Sequence, residues 1–510
     1  MQIVLDIILF LIYISLFLFM CAWMWKFWIM YANQKYLDGI DWVMLEIKLP
    51  RDIFKSPQAT EMAAAAFLQA GGINTWYKRN IKGNLPAFFS LEIASLEGDV
   101  RFFIRTEKKF VQLIQNNFYS QYPNIEITEA EDYVKKIYYD HRSPKNGVGM
   151  WASDYFTTKK ITLQDEDKKN KKEKIEISGN ALPIKTYVDF ELNKDPKEEF
   201  KHDPLTPILE WFGSLRKGEY AWYQILVQDE SNYNGSKYPP LFHNELTGEH
   251  LTFKKLVDLH LDSIRKSKPK YKKGDPVLDD AGNPKTRTKK VKNDKGEWED
   301  KEEPVLYAAD DKGSLKREHE LMDEDKEAIK LILRKAAKPV VNCNMRVVYI
   351  AAPGAFNSQN INSILNVTKH FSAPGFNTFA PSPCDPYDYD WQDTFKKRKP
   401  WRSEEYFEAY VEREAFYPHV ETRSAISKQG SIDDWWDWAL FKRSLGFRKI
   451  GRIMWEGFVH PFHHPHPSNT FVLSLEELAT LWHLPGSVAN TPGIRRVDSV
   501  KGDAPNNLPL

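Results

Sequence analysis

Residues 88–105 have the sequence FFSLEIASLEGDVRFFIR. Phe88–Ser95 and Val100–Arg105 are rich in aromatic and aliphatic residues, and the pair Glu97-Gly98 separates them. Two such runs around a glycine-containing turn predict a β-hairpin. The flanking segments predict the rest of the unit to which this hairpin belongs.

The flanking segments complete a six-element unit over residues 41–140. Upstream, Trp42–Leu49 alternates like a strand, and Pro57–Ala70 predicts a helix with proline at its first position. Downstream, we expect a helix capped by Thr106 and a short strand at Ile125–Ile127. The order β-α-β-β-α-β predicts a ferredoxin-like unit and an α/β (α+β) fold class.

The same order is predicted to recur over residues 184–382, as a second ferredoxin-like unit. This inference comes from the order of the elements and not from residue identity. The predicted strands lie at 187–192, 220–228, 345–351 and 376–380, and the predicted helices at 204–215 and 357–371.

A charged insertion, residues 253–338, interrupts the second unit. Phe253–Arg265 and Met322–Lys338 carry apolar residues on one helical face and predict two amphipathic helices. Residues 266–303 between them are polar and hold few apolar residues, so no stable structure is expected there. The insertion is predicted to project from the body as a helical arm with a mobile tip.

A basic run follows the first helix of this arm. We expect either a contact with nucleic acid or acidic lipid, or a solvated loop, which is the simpler interpretation. Its basic residues are Lys266, Lys268, Lys270, Lys272 and Lys273.

The C-terminal region, residues 400–510, is predicted to be helical and rich in aromatic residues. Glu404–Tyr417 and Asp433–Leu445 predict helices, and Ser474–Glu477 has the pattern of a capping box at the start of a short helix. The Gly/Pro/Asn-rich residues after Pro485 predict an extended strap.

The N-terminal segment, residues 1–32, predicts a transmembrane anchor. Ile7–Trp25 contains no charged residue, and its 19 residues would span about 28 Å as a helix, close to the thickness of the hydrocarbon layer. A cleaved signal peptide is the alternative, but a basic start and a small-residue cleavage site are missing. Lysine and arginine follow the segment and do not precede it, which predicts an inner-membrane protein with its N-terminus outside and its body in the cytoplasm.

Composition sets limits on function. The net charge is +1, so any contact with nucleic acid must be local. The chain has three cysteines, Cys21, Cys343 and Cys384, without a CxxC pair, which is typical of a reducing compartment and not of a disulfide scaffold. The sequence contains no GxxxxGK[ST] phosphate loop, so hydrolysis of a nucleotide by that route is not expected.

A histidine cluster is the sharpest candidate for chemistry. His460, His463, His464 and His466 lie within seven residues and could ligate a metal ion. The prolines between them favour the alternative of a packed, proline-braced loop, and no HExxH motif accompanies them. We predict no cofactor and no catalytic residues, and a membrane-tethered metal hydrolase stays an alternative function.

Several segments resemble one bacterial family. These are WVMLEIKLP (42–50), KSPQA (55–59), FFIRT (102–106), QYPNI (121–125), LEELATLWHLP (475–485), TP (491–492) and PNNLP (505–509). The chain resembles the membrane-anchored N-terminal half of proteins related to type IV secretion and conjugative coupling ATPases. In many such proteins a P-loop motor domain follows, and no counterpart of its nucleotide-binding residues is present in these 510 residues.

The resemblance implies a non-catalytic adaptor or scaffold that works with a P-loop ATPase on another chain. It also implies homo-oligomers, because related motors form rings. A membrane scaffold unrelated to secretion is the further alternative. The expected docking surface for the motor consists of Glu477, Leu478, Leu481, Trp482, His483 and Pro485.

Overall fold

The computed structural model describes most of the body of the chain. The longer described stretches are residues 35–50, 55–68, 81–137, 149–164, 174–192, 203–229, 253–265, 286–292, 298–306, 321–385, 398–413 and 470–486, and shorter pieces lie between and before them.

The strands of these stretches are numbered in chain order. They are β1 (Trp42–Pro50), β2 (Phe88–Leu96), β3 (Asp99–Glu107), β4 (Glu126–Ala130), β5 (Gly149–Thr157), β6 (Lys160–Gln164), β7 (Lys174–Ser178), β8 (Glu219–Asp229), β9 (Phe242–His243), β10 (His250–Leu251), β11 (Thr286–Lys292), β12 (Trp298–Pro304), β13 (Val340–Ala351), β14 (Phe379–Pro383), β15 (Phe471–Ser474) and β16 (Arg496–Val497).

The helices are numbered in the same way. They are α1 (Pro57–Ala63), α2 (Val111–Gln121), α3 (Thr206–Gly213), α4 (Phe253–Arg265), α5 (Asp323–Ala336), α6 (Gln359–Asn366), α7 (Arg398–Glu412) and α8 (Leu475–Leu481). Short 3₁₀ turns lie at Ala64–Phe67, Lys108–Phe110, Tyr133–Lys136 and Lys369–Phe371.

The first unit has the predicted element order. Its strands lie side by side in the order β4-β1-β3-β2, and each neighbouring pair is antiparallel. The predicted helix cap at Thr106 is wrong. Thr106 pairs with Val43 inside the sheet, which keeps it extended, and α2 begins only at Val111, after the turn Lys108–Phe110.

The second unit has the matching strand order, β14-β5-β13-β8, again with antiparallel neighbours. Its first strand is β5 and not the predicted strand at 187–192. Residues 187–192 form turns, because the Asp189 carboxylate accepts hydrogen bonds from the backbone and hydroxyl of Thr186 and closes the chain on itself.

The two units share one sheet. Strand β2 pairs with β8 in antiparallel register from Phe88–Gln228 to Leu96–Tyr220. Strand β15 adds to β13, and the two residues of β16 add to the end of β1. The result is a mixed α/β structure built on a ten-stranded, mostly antiparallel sheet.

Both faces of this sheet are covered. On one face, the rings of Phe67, Phe118 and Trp482 pack together and bring α2 and α8 onto the strands. On the other face, Trp222 of β8 contacts Phe407 and Tyr410 of α7. Apolar side chains are therefore removed from water on both sides, which stabilises the central strands.

The insertion differs from the prediction. Helices α4 and α5 have the predicted positions, but Leu256, Val257 and Ile332 pack with Val340 and Val472 of the body. Because its helices are seated on the body, the insertion is not a freely projecting arm at its base. The segment 266–303 also contains β11 and the start of β12, which form an antiparallel hairpin.

The N-terminal segment is described only in part. The described residues between Asp6 and Asp38 are helical, whereas most of Ile7–Trp25 lies outside the described residues. Among the described residues, no helix combines the length and the apolar run that crossing a bilayer requires.

Candidate functional site

A polar row crosses the interior of the sheet. Glu92 of β2, Gln224 of β8, Arg346 of β13 and Asp154 of β5 are neighbours in register, and all four are buried. Buried polar groups cost free energy unless they are paired, so each member of this row needs a partner inside the protein. We refer to these four residues as the polar row.

Glu92 has a complete set of partners. Its carboxylate accepts hydrogen bonds from Ser90 Oγ (2.5 Å), Tyr133 Oη (2.7 Å), Gln224 Nε2 (3.1 Å) and the Arg413 guanidinium (Nε, 3.0 Å). Burial alone would raise the pKa of Glu92, but Arg413 and the hydrogen bonds lower it to about 2. Glu92 is therefore ionised at neutral pH and fully engaged, which leaves it without a lone pair for general base catalysis.

Arg413 follows directly after α7 and ties this helix to the sheet. Its Nη1 and Nη2 donate to Asp132 (2.7 and 2.9 Å), so one guanidinium bridges two carboxylates. The backbone of Arg413 has a φ of 57°, in the left-handed region that residues other than glycine rarely adopt. The ion pair and this backbone turn together fix where α7 ends.

A second buried ion pair lies at the other end of the polar row. Arg346 Nε and Nη2 donate to the two Asp154 oxygens at 2.5 and 2.9 Å, in the bidentate geometry that makes such pairs strong. The pair joins β13 to β5, so it stabilises the inner strands of the second unit.

Asn342 lies on the same face of β13. Its side chain is fully buried, and neither its amide nitrogen nor its oxygen has a hydrogen-bond partner among the described residues. It pairs in register with Gln228 and Val472. An unpaired buried amide is costly, and its presence marks a weak point in the packing.

A second cluster of charges joins the insertion to α8. Arg334 donates to Asp189 (2.8 Å) and to Glu476 (Nε, 3.0 Å), and Lys335 contacts Glu477 at 3.0 Å in the interior. Burial lowers the pKa of Lys335, an effect that Glu477 opposes. Through these pairs, α5 and α8 hold each other in place.

Lys338 extends this cluster to the first unit. Its Nζ contacts Glu61 of α1 at 2.6 Å and Glu476 at 2.8 Å. Burial would raise the pKa of Glu476, but Arg334, Lys338 and Thr186 lower it. One buried carboxylate thus connects three separate parts of the chain.

His483 forms an ion pair in the interior. Its Nε2 lies 2.9 Å from Asp203 Oδ2, and its Nδ1 lies 3.0 Å from the Ala479 carbonyl oxygen. Burial alone would lower the pKa of His483, but Asp203 and the hydrogen bonds raise it. The pair connects the end of α8 to the residues before α3.

The predicted docking surface lies in the core. Leu478, Leu481 and Trp482 pack inside the main apolar cluster, and Glu477 and His483 are paired as described above. Pro485 is buried as well. The capping box of Ser474 and Glu477 is confirmed, but its glutamate lies in the interior, so these residues are not a surface that a partner can contact.

A cavity of about 320 Å³ lies where β1 and β3 separate. It is lined by charged side chains that are paired with each other: Lys48 contacts Glu126 at 2.8 Å, and Arg101 lies 3.6 Å from Glu46. Ile494, in front of β16, forms one wall. The C-terminal strand therefore closes the space between these two strands.

Other predicted residues have different outcomes. The cysteines Cys343 and Cys384 are buried, as expected of structural thiols, and burial raises the pKa of Cys343 well above its usual value. Within the described residues, no group of three or more His, Cys, Asp or Glu side chains converges as a metal site would require. The candidates in the histidine cluster and in the basic run lie outside the described residues, namely His460, His463, His464, His466, Lys266, Lys268, Lys270, Lys272 and Lys273.

No protein-family model matches the chain, and neither the curated proteins nor the solved structures include one that is significantly similar to it.

Proposed function

We propose that this protein is a non-catalytic, membrane-anchored adaptor of a type IV secretion-like or DNA-transfer ATPase machine. One observation carries the proposal beyond the resemblance in sequence. The helical residues 35–38 come shortly before β1, which begins at Trp42, and β16 pairs with Leu49 and Pro50 at the last residues of the same strand. The N-terminal segment and β16 thus meet opposite ends of one strand.

The exposure of the N-terminal helix supports the role of an anchor. Large apolar side chains described between residues 7 and 25 are exposed, with Phe10 at 63% and Phe17 at 65%, and Ile7, Ile12 and Trp25 at more than 40%. Exposed apolar side chains of this size mark a contact with membrane or with another protein. In the proposed orientation the helix lies in the inner membrane and the body in the cytoplasm.

The junction between helix and body supports the role of a spacer. Leu37 and Trp42 both pack against the buried cluster of Phe88, Leu226 and Ala415, and the backbone passes from the helical residues 35–38 into β1 within a few residues. A strand rises ~3.3 Å per residue, so β1 separates its two ends by roughly 25 Å. The body would hold the C-terminal strand at that distance from the anchored end.

Residues 498–510, which follow the C-terminal strand β16, are the proposed site of partner recruitment, in place of α8. Val100 N donates to Gly493 O at 2.8 Å, and Gly493 lies so close to Gly98 and Gly213 that a Cβ atom would be 2.6 Å from each of them. This close crossing ties the chain just before the proposed recruitment site to the body.

The proposed architecture is a tandem of ferredoxin-like units. In each half the four strands lie in the order fourth, first, third, second, and all neighbours are antiparallel. The second strands, β2 and β8, pair with each other in antiparallel register, so the two halves meet at these strands. Homo-oligomers are part of the proposal only by analogy with ring-forming motors.

Affinity purification from detergent-solubilised membranes, followed by mass spectrometry, tests this function. The full chain is expected to co-purify a P-loop ATPase, and a variant that ends at Val497 is expected to lose it. Removal of Ser474–Leu510 is not a clean test, because α8 is part of the core. A truncated variant that still recruits the ATPase would rule out residues 498–510 as the docking site. A full chain that co-purifies no ATPase would contradict the adaptor role.

A further inference from the structure

Several segments of the chain meet at one end of the sheet. Strands β1 and β2 begin there, and β3 ends there, as the pairs Trp42–Glu107 and Ser90–Arg105 require. Strand β8 ends and β13 begins at the same end, as the pair Val341–Asp229 shows. The N-terminal helix therefore enters, and the charged insertion leaves and returns, at a single end of the body.

Exposed lysines lie on the segments that precede or follow the strands at this end. Lys35 lies on the helix itself, Lys78 and Lys82 lie on the turn before β2, and Lys108 and Lys109 lie after β3. We call these five residues the basic end.

Acidic side chains also lie near the basic end, some beside β1 and β3 and others at the end of β4. Asp38 and Asp41 are exposed next to the helix, and Glu107 is buried with Lys109 at 2.5 Å. Glu129 and Glu131 are exposed at the end of β4, on the outer edge of the sheet. Near β1, β2 and β3 the five lysines therefore outnumber the three carboxylates by two.

Aromatic side chains accompany the lysines. The guanidinium of Arg105 lies 4.3 Å from the centre of the Trp42 ring. Lys82 Nζ lies 5.9 Å from the centre of the Tyr77 ring, and Tyr77 is exposed. Trp, Tyr and Lys are the residues that accumulate at the level of lipid headgroups. Lysines beside a membrane span are attracted to the anionic lipids of the cytoplasmic leaflet.

We propose that the basic end binds the headgroups of anionic phospholipids, so that the strands of the sheet stand upright on the inner membrane. This inference rests on the proposed function in one respect, namely that the N-terminal helix is the membrane anchor. The packing of Leu37 against the cluster of Phe88, Leu226 and Ala415 supports it, because this contact limits how far the body can tilt away from the helix. The charged insertion then lies on the membrane side and the C-terminal strand on the opposite side.

Hydrogen exchange of the full chain in lipid nanodiscs tests this surface. The two nanodiscs contain phosphatidylcholine alone, or an equal mixture of phosphatidylcholine and phosphatidylglycerol. We expect exchange at residues 77–84 and 105–110 to slow several-fold in the anionic nanodisc, and the effect to disappear at high salt, because salt screens exposed charges. The double variant K82Q/K108Q should lose most of the slowing.

A matched control removes two charges at the opposite end of the sheet. Arg216 and Lys217 are exposed before β8, and R216Q/K217Q should exchange like the unchanged protein. Equal exchange in both nanodiscs for a chain that has inserted would overturn the lipid surface and leave the anchor intact. Slowing by duplex DNA in the neutral nanodisc, without an effect of phosphatidylglycerol, would assign the basic end to nucleic acid instead.

Failure of the chain to enter either nanodisc would overturn both the anchor and the lipid surface. Loss of the co-purifying ATPase from an inserted chain would count only against the adaptor role. The two proposals can therefore fail separately.

Discussion

Glu92 and Arg413 are 321 positions apart in the sequence, and their side chains meet at 3.0 Å in the centre of the protein. Glu92 lies on β2, where the two units join, and Arg413 directly follows α7, which covers that face. The pair thus fastens a late segment of the chain to the first unit. Its burial makes it sensitive to the loss of either partner.

Replacement of Arg413 by methionine should destabilise the protein by about 3–5 kcal/mol, because it leaves the Glu92 carboxylate buried without its counter-ion. The double variant E92Q/R413M should recover part of this loss. Urea unfolding of the detergent-solubilised chain measures both. As a control, R101M removes the partly exposed pair with Asp99 and should change stability by less than about 1 kcal/mol. Equal stability of R413M and R101M would contradict a structural role for the pair.

Stability should fall as the pH rises above neutral, because of His483. Its pKa in the folded protein is raised above the usual 6.5 by Asp203. The stabilisation is fully present below pH 6.5, where the unfolded state also binds the proton, and is lost as the pH rises through the folded pKa. Unfolding midpoints measured from pH 6 upward should decline, and H483Q should remove that part of the decline. If the unfolding midpoint of H483Q declines with pH as steeply as that of the unchanged protein, His483 is not the cause.

Replacement of Asn342 by leucine should raise stability by about 1 kcal/mol, because it removes a buried amide that has no partner. The matched control is N377L. Asn377 is also buried, but its Oδ1 accepts from Thr378 N at 2.9 Å and its Nδ2 donates to Gly179 O at 3.2 Å. Thermal unfolding should show N377L destabilised. A loss of stability in N342L as large as that in N377L would mean that Asn342 has a partner, such as a bound water.

A methyl group at Gly493 should release the C-terminal strand. The new Cβ would meet Gly213 Cα and Gly98 O at 2.6 Å, and both are backbone atoms that have little room to move. In G493A, hydrogen exchange at the amide of Val100 should therefore accelerate while the body stays folded. Gly39→Ala is the control, because the nearest described atoms to a Cβ at that position, the carbonyl oxygens of Lys35 and Tyr36, lie at 3.5 Å, an ordinary van der Waals distance. Unchanged exchange at Val100 would show that the strand tolerates the methyl group.

Local patterns predicted part of this fold correctly. The hairpin of residues 88–105 and the helix of Phe253–Arg265 were predictable, because each has a regular spacing of apolar residues over its own length. Strand β5 was missed, because Asp154 interrupts its apolar run and its partner Arg346 lies 192 positions away. Residues 187–192 have the composition of a strand, but the hydrogen bonds between Thr186 and Asp189 favour a turn.

The candidate site was less predictable than the fold. Adjacent glutamates at 476 and 477 are typical of an exposed helix, and the sequence does not show that Arg334 and Lys335 approach from the insertion to neutralise them. A signal was present for the polar row. Glu92 and Arg346 each stand alone among apolar residues of a strand, and a charge in such a position needs a buried partner.

The adaptor proposal depends most on whether ATP hydrolysis belongs to this chain or to a partner. The decisive measurement is the ATPase rate of the affinity eluate beside that of the purified chain alone. We predict activity in the eluate, together with a co-purified P-loop ATPase, and none from the chain alone. Hydrolysis by the chain alone would contradict the proposal and direct attention to His460, His463, His464 and His466.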